Sequence, residues 1–183
     1  MIRSMHYNRP AFALHWLMAL LIASGFSLGF YMADLKFSPE KLKLYSYHKW
    51  IGVTLFTLAI ARLAWRIRHP APPLPASLPR WQAECAGAVH IALYLLMFAI
   101  PIAGWTYSSA AGVPTVPFGI GALQLPDLVA KNKELADTLK FLHRSLAYGL
   151  AALVSLHVAA AVGHQLVDDH NILSRMLPGG GKT

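Results

Sequence analysis

From Pro10 to Ala33 the chain carries no Asp, Glu, Lys or Arg. That run exceeds the ~20 residues a helix needs to cross ~30 Å of hydrocarbon, so the polypeptide must place it in a membrane or in a very large core. With 183 residues, 56% of them hydrophobic and 13% charged, no core of that size is available. The run is therefore a membrane span. Arg3 and Arg9 before it suggest a secretory signal, but the apolar stretch outruns the ~7–15 residues of a signal core and no convincing small-residue cleavage site follows. We read it as a retained first span, about 10–33.

Three more spans follow on the same reasoning. The second, about 47–65, contains Arg62, which lies near enough to its end to snorkel beside Arg66. Pro70, Pro72, Pro73, Pro75 and Pro79 then forbid helix and central strand alike and make a loop. Cys85 to Pro126 holds no charged residue. Its first part, about 85–108, is the third span; GVPTVPFGIGALQLP from Gly112 is punctuated by Gly and Pro and reads as a re-entrant or interfacial loop. A short amphipathic helix is expected at about 126–138, then a fourth span at about 139–167, ahead of Asp168 and Asp169 and a polar tail ending GGGKT. No repeat or second domain is visible, so the expected fold is all-α: one integral-membrane bundle of four transmembrane helices over residues 1–183.

The formal charge of +8 lies between the apolar segments rather than in one run, which argues against nucleic-acid binding. The single cysteine, Cys85, excludes an internal disulfide, an iron–sulfur site and the C-x-x-C-H of covalent haem attachment. Lys and Arg divide evenly, eight and eight, between the two sides of a four-span topology. Seven of the eight arginines fall on the terminal side, which favours cytoplasmic termini.

The nine histidines carry the functional reading, because these spans otherwise avoid ionisable side chains. Successive spans run in alternate directions, so helix ends pair by parity. His15 starts span one on the terminal side, and His48 starts span two on the opposite side. Span four enters from the side of His48, so His143 lies level with His48 and His157 level with His15. Fourteen residues separate His143 from His157, ~21 Å and nearly four turns, so both imidazoles share one face. The iron of a planar macrocycle takes axial ligands from opposite sides, and two such pairs exist here. His48 with His143 would hold one haem, and His15 with His157 another.

The stripe His143, Ala147, Leu150, Val154, His157, Ala161, His164 is small and apolar between its histidines, as a helix beside a flat ring should be. Gly25, Gly29, Gly52 and Gly149 are expected to allow close approach. His90 and His164 also lie at the His15 end, so four imidazoles compete there for one iron, and depth alone does not choose among them. His6, His69 and His170 read as interfacial polar residues. Arg62 and Arg144 are candidates for haem propionates, although snorkelling accounts for them equally.

These residues resemble the bacterial di-haem cytochrome b561 family, in particular its small stand-alone superoxide oxidase members. The likeness rests on LHWLMALLI around His15, YHKWIGVTLFTLAIARLAWRIRHPAPPLP from Tyr47, HIALYLLMFAIPIAGW from His90, VPFGIGALQLP, and LHRSLAYGLAALVSLHVAAAVGHQLV from Leu142. It covers nearly the whole chain. The resemblance implies a four-helix bundle in the bacterial cytoplasmic membrane with cytoplasmic termini, two haem b groups, and ligands on spans one, two and four. That selects His15 with His157 and His48 with His143. It further implies a ubiquinone site, near which the surplus His164 and His90 would fall, and electron uptake from periplasmic superoxide.

Lys36, Lys41, Lys43, Lys49, Lys131, Lys133, Lys140 and Arg144 on the non-terminal side exceed Asp34, Glu40, Asp127, Glu134 and Asp137 by three charges, a balance that favours an anion. Two other readings compete. One is a cytochrome b subunit passing electrons from a dehydrogenase or hydrogenase partner to quinone. The other is a transition-metal transporter or sensor, for which the spans supply almost no carboxylate or sulfur.

Overall fold

The computed structural model describes residues 7–73, 75, 77–166 and 173–176, and among them the regular structure is entirely helical. The expected end of span four at Val167, the carboxylates Asp168 and Asp169, the GGGKT tail, and His6 and His170 lie outside those residues. Four long helices are present: α1 (Arg9–Asp34), α2 (Pro39–Arg68), α3 (Arg80–Ala110) and α4 (Lys133–Leu166). Each is long and apolar enough to cross a membrane.

The helix ends follow local chemistry. Asn8 caps α1, its Oδ1 accepting from the Ala11 amide at 3.1 Å and from the Trp65 indole at 3.0 Å, which also ties the start of α1 to the end of α2. Ser38 caps α2, its Oγ accepting from the Lys41 amide, with Pro39 in the first turn where a missing N–H costs nothing. The Lys41 ammonium reaches back to the Ala33 and Leu35 carbonyls left open at the end of α1. At the end of α3, Gly112 takes φ +68° while its amide bonds the Ser109 carbonyl and the Val113 amide bonds the Ser108 carbonyl, the paired bonds of a Schellman motif.

The helices extend beyond the expected spans because hydrocarbon thickness limits only the apolar part. α2 begins two turns before Tyr47, through the polar EKLKLYS segment, and its 30 residues cover ~45 Å. The separate amphipathic helix expected at 126–138 does not form. Residues 126–132 are instead held on the end of α3: the Trp105 indole donates to the Pro126 carbonyl, the Leu128 amide to the Ser109 hydroxyl, and the Asn132 amide to the Ala110 carbonyl. The Asn132 side chain then accepts from the Leu135 amide, and one uninterrupted α4 runs from there through Thr138 to Leu166.

Neighbouring helices pack in chain order, α1 on α2, α2 on α3 and α3 on α4. Few side chains are fully buried among the described residues; Met18 is the one large example. Leu20, Phe30, Ile91, Leu95 and Phe141 point outward, as a bundle solvated by lipid tails requires. Four tryptophan indoles donate to oxygens of loops or helix caps, and two of these bonds hold the 112–132 segment: Trp50 to the Val116 carbonyl and Trp105 to that of Pro126. The segment lies on α2 about three turns from its start, where the Lys49 ammonium donates to the Val113 and Pro114 carbonyls at 3.1 Å each, and Phe118, at φ +54°, meets the Trp50 ring.

Candidate functional site

The 14-residue interval on α4 puts two imidazoles on its inward face. The whole stripe from His143 through Ala147, Leu150, Val154, His157 and Ala161 to His164 is half-buried, whereas Arg144, Tyr148, Ser155 and Val158 between them are exposed. Opposite this face stand the histidines of α1 and α2. His15 and His157 have ring centres 6.3 Å apart with planes at 79°, and His48 and His143 have centres 6.0 Å apart with planes at 80°. Two imidazoles sharing one metal from opposite sides, each nitrogen about 2.0–2.1 Å from it, have ring centres about 6 Å apart. Both pairs have that separation. They span the α1–α4 and α2–α4 boundaries, where the helices do not pack backbone to backbone as sequence neighbours do.

Each ring at the His48 end is set by backbone. His143 Nδ1 donates to the Ile100 carbonyl at 2.9 Å, which fixes the tautomer and leaves Nε2 with its lone pair, the arrangement that orients a metal-ligating histidine. On the other ring, His48 Nδ1 is buried and makes no hydrogen bond, a state that costs about 1–3 kcal/mol unless another group engages the ring. Glycines make the room. A Cβ on Gly29 would lie 3.0 Å from His48 Cε1, and one on Gly104 would lie 3.0 Å from His143 Cε1 and 3.1 Å from its Nδ1. A Cβ on Gly25 would lie 3.1 Å from Ile51 Cγ2, while one on Gly52 or Gly149 would meet no protein atom within 4 Å. Gly104 escaped the sequence reading because its partner is 39 positions away on another helix.

The His15 end is more crowded. His90 on α3 lies 5.3 Å from His157, centre to centre, so His157 sits between two imidazoles. The 6.3 Å spacing to His15 is the one that matches opposed ligation. His164 is half-buried two turns beyond His157 on the same stripe. Arg62, also half-buried, donates from Nε to the Tyr94 hydroxyl at 3.2 Å, and Tyr94 follows His90 by one turn of α3. Arg144 is exposed, with its guanidinium on the Tyr148 ring and hydroxyl. His69 stacks on Trp65 at 4.0 Å, an interfacial packing role.

Among the described residues, no three His, Cys, Asp or Glu side chains converge as a metal-ion cluster would need. The donors come in opposed pairs. At the His48 end the pair spacing, the fixed His143 tautomer, the unpartnered His48 nitrogen and the glycine cradles fit a bis-imidazole macrocycle that His143 and His48 would hold; at the other end the spacing of His157 and His15 fits a second.

A family model described as prokaryotic cytochrome b561 matches residues 6–179. The chain is 36% identical over 173 residues to cytochrome b561 homolog 2 of Escherichia coli K12, covering 93% of this chain and 90% of that protein. It is 31% identical to a probable superoxide oxidase CybB of Yersinia pestis, covering 94% of this chain and 96% of that one. Identity to cytochrome b561 homolog 1 of Escherichia coli K12 is 26%, across 94% of this chain and 97% of the relative.

Proposed function

Because the chain belongs to the prokaryotic cytochrome b561 family and is thus a bacterial multi-pass membrane protein for electron transfer through haem b, we propose that it oxidises superoxide at one membrane face and reduces ubiquinone. The observation that carries this reading is the two opposed histidine pairs, stacked along α4 some ~21 Å apart, one towards each end of the bundle. Two haem b groups on His15 with His157 and on His48 with His143 would supply one-electron transfer with no open coordination position for a substrate. The resemblance to a probable superoxide oxidase, at 31% identity over most of both chains, supports the donor.

The chain's own residues do the rest. Each superoxide gives up one electron and leaves as dioxygen, and ubiquinone takes two electrons and two protons, so two superoxides are consumed per quinol. The lysines of the 35–49 and 131–140 segments gather at the His48 end and attract an anion towards it. That end faces the periplasm if the termini are cytoplasmic, as the arginine distribution favours. At the other end His90 and His164, the histidines left over from the opposed pairs, would stand beside a quinone oxygen, where an imidazole can donate a hydrogen bond and pass on a proton. Arg144, exposed near the His143 end of α4, is the guanidinium available to a haem propionate, whereas Arg62 is already engaged by the Tyr94 hydroxyl.

Purified protein should be reduced by a superoxide pulse and reoxidised by ubiquinone, with superoxide dismutase abolishing the reduction. Protein that superoxide leaves oxidised, but that a membrane dehydrogenase or hydrogenase reduces, is instead the cytochrome subunit of such an enzyme. His164→Gln is expected to slow quinol formation at least tenfold while both haem spectra stay intact; loss of a haem in this variant would make His164 a ligand instead.

A further inference from the structure

On α2, Arg62 follows His48 by 14 residues, the same interval that separates His143 from His157 on α4. The interval is nearly four turns, so Arg62 occupies on α2 the inward position at the level of the His15 and His157 pair. An arginine inside a span is costly and needs a partner or a purpose. The partner here is neutral: Nε donates to the Tyr94 hydroxyl, and among the described residues no carboxylate pairs with the guanidinium. Among the described residues the charge is therefore uncompensated. It lies within electrostatic reach of His15, His90 and His157, and Arg66 adds a second positive charge near His90.

The opposite end is built differently. His143 donates to the Ile100 carbonyl, and among the described residues no lysine, arginine or carboxylate hydrogen-bonds either ring. Lys49, although adjacent to His48 in sequence, turns its ammonium to the Val113 and Pro114 carbonyls. An imidazole held on a carbonyl, as His143 is, is a more basic ligand and favours an oxidised metal, whereas an unpaired positive charge in a low-dielectric interior favours the reduced one.

We propose that Arg62, positioned by Tyr94, makes the His15–His157 end the higher-potential end of the bundle and so directs electrons towards it from the His48–His143 end. This rests on the assignment of the two histidine pairs as haem ligands. Arg62 is a positioning and tuning residue, acting through its field on the ligands.

The test is a redox titration of purified protein, following the two haem transitions optically. Arg62→Gln is expected to retain both haems, lower the upper transition and leave the lower one in place. Electron sharing between the ends should fall at least tenfold, about 59 mV for one electron. Arg62→Lys should keep most of the separation, and Arg80→Gln, which deletes a charge at the exposed start of α3, should keep all of it. Two haems with unchanged transitions in Arg62→Gln, or both transitions moving equally, would overturn the proposal. A wild-type protein with fewer than two haems would instead overturn the ligand assignment. The order of potentials provides an independent check should Arg62→Gln fail to assemble: the haem left in His143→Ala must titrate above the haem left in His157→Ala, and the reverse order sinks the idea.

Discussion

Replacing His143 with alanine is expected to remove one haem b from the protein and leave the other with its spectrum intact. The imidazole is held on the Ile100 carbonyl, 6.0 Å from the His48 ring, and no third histidine among the described residues stands near enough to replace it. His48→Ala should give the same half-loaded protein, and the double variant should lose no more than either single one, since two ligands of one site act together. His157→Ala should remove the other haem. His15→Ala differs, because His90 already stands 5.3 Å from His157 and offers a substitute ligand, so partial retention with a shifted spectrum is expected. The check is the haem-to-protein ratio with the reduced-minus-oxidised spectrum. Loss of both haems from His143→Ala, in protein that still folds, would show that the two levels are not separate sites.

Gly104→Val is expected to damage the same site without touching a ligand. A Cβ there would sit 3.0 Å from His143 Cε1, tighter than most side-chain contacts, and the ring it presses on is the one hydrogen-bonded to Ile100. Valine is no worse than glycine in a helix, so lost helix propensity cannot explain a defect. The ring must move, and opposed ligation tolerates little movement. We expect haem content to fall from two towards one, with the His15–His157 haem retained. Gly149→Ala, on the exposed face of α4 with no protein atom within 4 Å of the added methyl group, should keep both haems. A Gly104→Val protein with two normal haems would show that His143 has room to shift and that the cradle is not needed.

Much of this was legible in the residues, and the reasons differ by feature. The span count follows from charge-free runs, which depend on composition alone. The two histidine levels follow from helix rise and alternating span direction, neither of which needs tertiary contacts. The azimuth of α3 does need them. Depth placed His90 at the His15 end, but only the packing of α3 on α4 shows its ring beside His157. The start of α4 differs for a similar reason: Pro126 and the charges after it look like the opening of a surface helix, while Trp105, Ser109 and Ala110 of α3 tie that stretch down outside any helix. Gly104 and Tyr94 were not singled out because each matters through a partner distant in sequence, His143 in one case and Arg62 in the other.

If each opposed histidine pair holds one haem b, a pyridine haemochrome assay on purified protein, set against protein concentration from amino-acid analysis, gives two haem b per chain. One per chain would leave a single working pair, and none would contradict the reading of the histidines altogether.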